Sequence, residues 1–266
     1  MGKQFKAGCA AIALIAALIG APASAEPPRA ELHVWAGNEA DDSSAFGLRS
    51  VEAAYWATTQ DRVGVRYDNS LSLDNPALAR AGIDAEAYFL SYLHDFDGRY
   101  LLQGEIGQRD LPNNAEQDIY KLEGVAFHDG AAIKLGAQVS PTETPSDDFT
   151  DTVFWGQYNF ALNDDWRLEP AVYVSETGAL GDREWRVAGY AEYNPPQGGW
   201  QLGVGAGFGD VDSDIAAASG ELANAHARIS FDVTESSQVH LQVRYEDAPL
   251  QEYTVALVGV SLRLPR

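Results

Sequence analysis

The stretch that decides the fold is LANAHARISFDVTESSQVHLQVRYE, residues 222–246. From residue 225 to residue 233, apolar Ala, Ala, Ile, Phe and Val alternate with polar His, Arg, Ser and Asp. After Thr234–Ser236, residues 239–246 alternate again as Val-His-Leu-Gln-Val-Arg-Tyr-Glu. A period of two predicts β-strands with one apolar and one polar face. The stretch therefore predicts a β-hairpin whose two faces meet different surroundings.

The same alternation recurs along the chain after residue 25. Most runs approach the roughly 9–11 residues that a tilted strand needs to cross a bilayer, whereas strands of soluble sheets average about five or six. An all-β fold of 14 strands is predicted, or of 12 if the first run and the fourth are not strands. The predicted strands are 30–37, 48–58, 62–70, 86–94, 99–109, 117–127, 131–140, 150–161, 166–176, 183–193, 199–209, 222–233, 237–246 and 253–264.

The connections between these runs alternate in length. Short ones such as Thr59–Asp61 and His128–Gly130 are separated by longer or more polar ones such as Asn38–Gly47 and Pro141–Phe149. This rhythm is typical of an up-and-down antiparallel barrel of the outer membrane, with turns in the periplasm and loops outside. Such a sheet must close on itself, because lipid offers its edges no hydrogen-bond partners.

Residues 1–25 are predicted to be a secretory signal peptide. Two lysines precede an apolar run, and a small-x-small motif ends at Ala25, where we expect cleavage. The run is shorter than the roughly 20 apolar residues of a membrane anchor, which favours a cleaved leader over the alternative of an uncleaved anchor. Cleavage would remove Cys9 and leave 26–266 as the barrel domain, with no thiol and, once the two lysines are gone, a charge of −23.

The composition excludes several classes of protein. The chain has 18 Lys and Arg against 39 Asp and Glu, a net charge of −21, which excludes nucleic acid as a partner because phosphates require a basic surface. A hydrophobic fraction of 45% excludes a disordered chain. The expected partners are outer-membrane lipid and the barrel-assembly machinery during insertion, and a periplasmic partner stays open.

Charges of both signs lie on the predicted polar faces. Acids and bases there nearly balance, so a barrel lumen would be almost neutral and the acid excess would fall in loops and turns. Arg62 and Lys134 are among these bases. In a soluble β-sandwich the same faces would simply be solvated, which is the alternative interpretation. The residues predicted to line the lumen are Arg66, Arg99, Glu105, Arg109, Arg167, Glu169, Arg186, Arg228 and Arg244.

Aromatic and glycine positions refine the prediction. Trp166 and Trp200 open strands after tight turns, on the apolar face, where a periplasmic-side aromatic girdle is expected, and Trp185 fits the opposite girdle. In a sandwich they would be core aromatics. Alternate glycines from Gly203 to Gly209 point to the polar side, which predicts room for a large side chain or a bend in the wall.

No pattern indicates a strong catalytic or metal site, so we expect no enzyme activity, no metal and no cofactor. The best triad-like set is His240 opposite Ser230, with Asp232 nearby, and polar lumen residues meet in this way routinely. Asp210–Asp214 alternates carboxylates but lacks the Gly and Glu of a calcium loop, which favours a solvated loop. Residues 71–82 have signals for a short helix that enters the pore, protrudes, or belongs to a plain surface loop.

The C-terminal run 255–264 resembles the closing strand of bacterial outer-membrane β-barrels. Gly259, Leu262 and Leu264 have the spacing of that family signal, and the chain departs from it by ending on Pro265-Arg266 instead of an aromatic residue. The resemblance implies recognition by the barrel-assembly machinery.

The mature chain is also similar to the YaiO-type outer-membrane β-barrel proteins. Gly107–Asp110 at a strand end, the Gln-containing polar loop beyond it and Tyr120 resemble theirs, as do the length and the hairpin rhythm. The resemblance implies a fold and a location, and no defined activity comes with it.

From the sequence, three functions stay open. The first is a passive or export-associated channel whose Arg and Glu ladder shapes selectivity. The second is a closed structural or surface-interaction barrel with a salt-bridged lumen, because an obviously open aqueous channel needs about 16 strands. The third is an outer-membrane hydrolase that uses His240 and Ser230.

Overall fold

Strands that pair in sequence order form a closed antiparallel barrel in the computed structural model, which describes residues 29–40, 45–70, 73, 84–178, 181–249 and 251–265. β1 pairs with β14 and closes the ring. The predicted 14-strand up-and-down architecture is confirmed. The strands are β1 Ala30–Ala40, β2 Ala45–Trp56, β3 Asp61–Ser70, β4 Asp84–Phe96, β5 Tyr100–Leu111, β6 Ala115–His128, β7 Ala131–Glu143, β8 Asp148–Ala161, β9 Trp166–Thr177, β10 Asp182–Tyr193, β11 Trp200–Asp212, β12 Gly220–Thr234, β13 Ser237–Ala248 and β14 Gln251–Leu264.

Regular structure other than strand is short in the described ranges. Single 3₁₀ turns occupy Pro112–Asn114 and Ala216–Ala218. Those ranges hold no helix of the length and apolar character needed to cross a membrane. The predicted signal peptide and all of the predicted 71–82 helix except Leu73 lie outside the described residues.

One end of the barrel carries tight connections and the other carries longer ones. We call them the turn end and the loop end. The Asp-Gly pairs at Asp97–Gly98 and Asp129–Gly130 have positive φ at both residues, the backbone of a type I′ hairpin turn that follows the twist of the strands. The turn-end connections are 57–60, 97–99, 129–130, 162–165, 194–199 and 235–236.

At the loop end the strands are longer than predicted. β1 continues to Ala40, β7 to Glu143 and β11 to Asp212, and so three of the predicted loops are partly strand. The predicted strands end where polar residues interrupt the apolar alternation. The antiparallel hydrogen bonds continue past that point, because a hairpin ladder does not need an apolar face to stay paired.

Side chains alternate between the two faces of the wall. In β7, Ala132, Lys134 and Gln138 are buried and point inward, while Ile133 and Leu135 are exposed and point outward. Each strand exposes at least two large hydrophobic side chains on the outer face. The predicted alternation is therefore confirmed, with the polar face inside.

Three inward aromatic rings lie flat against glycines of the neighbouring strand. In each case the glycine is the direct cross-strand partner, and a Cβ added to it would overlap the ring. A cation or an imidazole lies near each ring. The three layers are Gly259–Trp35–His240, Gly107–Phe89–Arg66 and Gly136–Trp155–Lys121.

The glycines of β11 also make room for aromatic side chains. Tyr190 lies over Gly203 and His226 lies over Gly205, at positions that a Cβ would fill. The two rings stack with centroids 5.2 Å apart and planes inclined by 13°. The predicted space for a large side chain is confirmed.

The predicted outward tryptophans lie where expected. Trp166 and Trp200 begin β9 and β11, and both contact Tyr193, with ring centroids 5.0 and 5.6 Å from it. Trp185 lies toward the loop end, 45% exposed, with an edge contact to Phe208.

Replacement of Gly136 by Ala tests the layered packing. The new methyl group would force Trp155 away from the wall, and we expect a loss of about 1–3 kcal/mol in the free energy of unfolding. Urea unfolding in lipid vesicles, followed by tryptophan fluorescence, measures it. Gly104→Ala is the matched control, because a Cβ there meets nothing within 4 Å. Equal stability of the two variants would contradict the proposed packing.

Candidate functional site in the barrel lumen

Three inward arginines each lie between two carboxylates. Arg62 on β3 bonds Glu31 at 3.1 Å and Glu52 at 2.7 Å, which links β1, β2 and β3. Trp56 on β2 donates its indole N–H to Glu31 at 3.0 Å. All four side chains are buried, so the two carboxylates depend on Arg62 to neutralise them.

The second and third triads repeat this arrangement. Arg66 bonds Glu105 at 2.5 Å and Asp68 at 3.4 Å, and it also stacks on Phe89. In the third triad, Arg186 on β10 pairs with Glu184 of its own strand and Glu246 of β13. Planar guanidinium groups with several donors suit such double pairing.

The predicted lining residues occupy three environments. Arg109 is fully buried and donates to Gln117 at 2.7 Å, and Gln117 donates to Thr142 at 2.8 Å. Arg167 donates to Asn159, whose amide donates to Glu169 at 3.2 Å. The enclosed predicted residues are Arg66, Glu105, Arg109 and Arg186, and the partly exposed inward ones are Arg167, Glu169, Arg228 and Arg244.

The prediction for Arg99 needs correction. This residue lies in the exposed connection 97–99 at the turn end, and its backbone carbonyl accepts from the Phe127 N–H at 2.9 Å. The sequence pattern extended the strand by one residue, because Arg99 keeps the inward parity of β5. Because the chain turns at Asp97–Gly98, β5 begins only at Tyr100. The Arg99 side chain is therefore exposed, outside the enclosed lumen.

The sequence interpretation missed several inward residues. Glu31, His33 and Trp35 alternate with outward Leu32 and Val34 along β1 and point into the lumen. Three of the six tryptophans in the chain are buried inside the barrel: Trp35, Trp56 and Trp155. The glycine opposite Trp35 or Trp155 is the signal that could have placed these two rings, once the strand register is known.

A chain of hydrogen bonds crosses the seam where the barrel closes. His33 on β1 and His240 on β13 each contact the Ser261 hydroxyl of β14 at 2.7 Å. The other ring nitrogen of His240 contacts Ser230 of β12 at 2.8 Å. Side chains therefore connect four consecutive strands from β12 to β1, across the junction of the first and last strands.

The predicted contact between His240 and Ser230 is confirmed, but the geometry does not form a catalytic triad. Asp232 accepts from Gln238 at 2.7 Å instead of orienting His240. Ser230, His240 and Ser261 are 2–5% exposed. A substrate has no access to these hydroxyls, so the arrangement holds strands together.

Burial is uneven around the lumen. Inward polar side chains of β1 to β8 are mostly buried, whereas many of those on β9 to β13 remain partly exposed. The free space of the lumen therefore lies along the β9–β13 wall. Its partly exposed lining is Arg167, Glu169, Tyr173, Glu184, Tyr190, Asn224, His226, Arg228, Gln242 and Arg244.

Apolar side chains fill part of the loop half of the lumen. Trp35, Leu48, Tyr253 and Leu257 form a buried cluster, and Leu73 packs against it. Leu73 belongs to the β3–β4 connection for which the sequence allowed an inward or an outward position. At this one residue the connection is on the lumen side.

The described residues contain no group of three or more His, Cys, Asp or Glu side chains that could hold a metal ion. The predicted acidic loop at Asp210–Asp214 makes local contacts instead, including a hydrogen bond from Ser213 to Asp182 at 2.6 Å.

Comparison with solved structures finds similar folds among outer-membrane proteins. OmpT of Vibrio cholerae with loop L8 deleted is 12% identical with a TM-score of 0.57, covering 88% of this chain and 97% of that one. A bacterial polysaccharide outer membrane secretin is 12% identical with a TM-score of 0.61, covering 88% and 98%. The CymD monoaromatic hydrocarbon channel is 8% identical with a TM-score of 0.60, covering 100% and 95%.

These likenesses show a shared barrel fold. No known family model matches the chain, and a search of the curated proteins found no match. Membership of the YaiO-type family stays a prediction.

Loss of Arg62 tests the buried triads. Arg62→Met would leave Glu31 and Glu52 without a counter-charge, and we expect the free energy of unfolding to fall by about 3–5 kcal/mol. Arg183→Met is the control, since its pair with Glu176 is exposed and screened by solvent. Urea unfolding in vesicles at neutral pH measures both, and comparable losses would refute the special role of the buried triad.

The seam chain predicts a specific cost for Ser261→Ala. Both histidines would lose a hydrogen bond inside the barrel, which should lower the free energy of unfolding by about 1–3 kcal/mol. Ser175 is equally buried, and its hydroxyl has no hydrogen-bond partner within the described residues, so Ser175→Ala should change little. The temperature at which the compact band is lost on gel electrophoresis compares the two variants. Equal temperatures for Ser261→Ala and Ser175→Ala would contradict a stabilising role of the hydrogen bonds at the seam.

Proposed function

We propose that this protein is an integral outer-membrane barrel that forms a narrow passive channel. Its path follows the inner wall of β9 to β13. The uneven burial of the lumen carries the proposal, because partly exposed polar side chains concentrate on that wall.

The outer surface supports a place in a membrane. Every strand presents large hydrophobic side chains outward, such as Leu135 at 64%, Phe208 at 61% and Ile106 at 55% exposure. A continuous apolar belt of this size would be unfavourable in water and matches the lipid-facing surface of membrane barrels. Strand lengths from 10 residues in β3 to 15 in β12 suffice to span the bilayer. Closure leaves no edge that would need hydrogen bonds from lipid.

Several structural neighbours favour transport across the outer membrane. They include a hydrocarbon channel and a polysaccharide secretin, as well as an outer-membrane protein. A passive channel requires neither a cofactor nor an enzymatic site, and the enclosed Ser230 and Ser261 hydroxyls give no reason to prefer a hydrolase.

The second candidate is a closed structural barrel. Two of the arginine triads and two of the ring layers fill the β1–β8 side so fully that Arg109, Ile119, Gln138 and Val153 have no exposed surface. If filling extends across the lumen in the membrane, the protein would conduct nothing and would act through its loops.

Single-cysteine labelling in planar bilayers distinguishes the two candidates. The chain has one cysteine, Cys9, so introduced thiols are unique once the predicted leader is absent. We expect the refolded protein to give discrete conductance steps. A charged methanethiosulfonate reagent should reduce the steps of Gln242→Cys, because that side chain lies inward on β13 and is partly exposed.

Ser140→Cys is the matched control. Ser140 points inward on β7 but is only 1% exposed, so its thiol should not react. Silence from protein shown to be inserted would favour the closed barrel. If the reagent reduced the conductance steps of Gln242→Cys and Ser140→Cys equally, a path restricted to β9–β13 would be contradicted.

A further inference from the structure

The inward face of β11 forms a furrow in the lumen wall. Every inward position of this strand from residue 203 to residue 209 is a glycine, so β11 itself projects no side chain into the lumen there. The furrow lies in the middle of the wall from β9 to β13, where the lumen is least filled. It consists of Gly203, Gly205, Gly207 and Gly209.

Two rings from the neighbouring strands lie over the furrow. Tyr190 on β10 and His226 on β12 are both direct cross-strand partners of Gly205, and their rings stack with centroids 5.2 Å apart. Both side chains are partly exposed, so the pair borders the free space of the lumen. An aromatic pair of this kind offers a packing surface to a solute that has an apolar face of its own.

Three neutral polar side chains beside the furrow have unused hydrogen-bonding groups. Asn224 and His226 on β12 and Gln242 on β13 point inward and are partly exposed. None of these side chains donates or accepts a hydrogen bond within the described residues, and none of their polar atoms is enclosed. Each amide, like a neutral imidazole, can both donate and accept. The wall therefore offers donors and acceptors that the fold itself does not use.

The charges on the same wall balance. Two inward carboxylates near the strand ends are already bonded, since Asp182 accepts from Ser213 and Asp232 accepts from Gln238. Between them, as many bases as acids point inward. The bases are Arg167, Arg186, Arg228 and Arg244. The acids are Glu169, Glu184, Glu192 and Glu246. A wall without net charge gives no preferred position to an anion or a cation, which favours a neutral ligand.

One ion pair adds hydrogen-bonding capacity without adding net charge. Arg228 and Glu192 are the two cross-strand partners of Gly203, and their nearest nitrogen and oxygen are 3.6 Å apart. That distance is longer than a hydrogen bond, so the guanidinium group keeps donors and the carboxylate keeps acceptors for a third molecule. Arg228 is also the direct partner of Gln242. The pair and the amide therefore flank the same part of the furrow.

We propose that the furrow binds a neutral saccharide, which makes hydroxyl-rich solutes the substrate class of the channel. A sugar hydroxyl both donates and accepts, as Asn224, His226 and Gln242 do. The C–H face of a sugar ring packs against aromatic side chains such as Tyr190. The inference rests on the channel proposal for transport, but the binding itself does not require conduction.

The first experiment measures block of the channel current by maltotriose in planar bilayers. The sugar should interrupt the conductance steps in proportion to its concentration, because a molecule in the furrow obstructs the path. Gln242→Leu should raise the half-blocking concentration about fivefold, the effect of losing one neutral hydrogen bond. Leu has nearly the size of Gln, and no hydrogen bond of this side chain within the described residues is lost, so the variant should fold.

Gln238→Leu is the matched control. Gln238 lies on the same strand and the same face, but its amide already donates to Asp232 at 2.7 Å, near the turn end. This variant should be blocked at the same concentration as the unchanged protein. Tyr190→Leu tests the aromatic contact separately and should raise the half-blocking concentration roughly threefold.

The second experiment measures binding without conduction. Saturation-transfer NMR of the folded protein in detergent should show transfer of magnetisation to the protons of maltotriose. Gln242→Leu and Tyr190→Leu should reduce the transfer, whereas Gln238→Leu should keep it.

The two measurements separate the possible failures. Silent bilayers, together with a transfer signal that depends on Gln242 and Tyr190, would overturn the channel and retain the site. Conductance that maltotriose does not block, together with a transfer signal that is absent or equal in all three variants, would overturn the site and retain the channel.

Discussion

Closure of the β-ladder is the constraint on which the rest of the structure depends. Once β1 pairs with β14, every strand has two neighbours, and each residue is committed to the inside or the outside of one ring. A shift of a single residue would invert a whole strand, moving Arg62 and Arg66 of β3 outward and Val63 and Val65 inward. The opposite chemistry of the two faces makes such a shift prohibitive, so the composition of the faces and the register of the ring support each other.

The interior shows how a wide ring is filled with polar residues at limited cost. Three of the buried arginines lie between two carboxylates, and three large inward rings lie over glycines that give them space. The ring thus lies along the wall, and a cation such as Arg66 can cover it while still reaching Glu105. Glycines weaken isolated strands, but here the aromatic partner replaces the missing packing. These groups pair mostly between neighbouring strands on the β1–β8 side. The lumen is therefore less crowded along β9 to β13.

Much of this arrangement is readable from the sequence, and the rest depends on register. The alternation of residues along each strand alone placed Arg66, Glu105 and Arg186 inside and Trp166 and Trp200 outside. The hairpin around Thr234–Ser236 was enough to pair His240 with Ser230. Parity cannot show that Trp155 faces Gly136 or that Arg62 reaches across to Glu31, because those contacts join separate hairpins or skip a strand. Strand ends were less predictable for the same reason. Arg99 has inward parity, but the left-handed conformation of the Asp97–Gly98 turn, not the polarity pattern, decides where β5 begins.

Ionic filling has a consequence that apolar filling would not have. A barrel with apolar side chains on both faces would have no reason to place one face toward lipid, whereas buried triads can be satisfied only on the inside. Their contribution is therefore to specify the inward face as much as to stabilise it. Residues whose charges are fully neutralised by neighbours have a structural role and few free donors or acceptors for a ligand. Function is better sought along the wall from β9 to β13, where inward polar side chains remain partly exposed and the lumen is least filled.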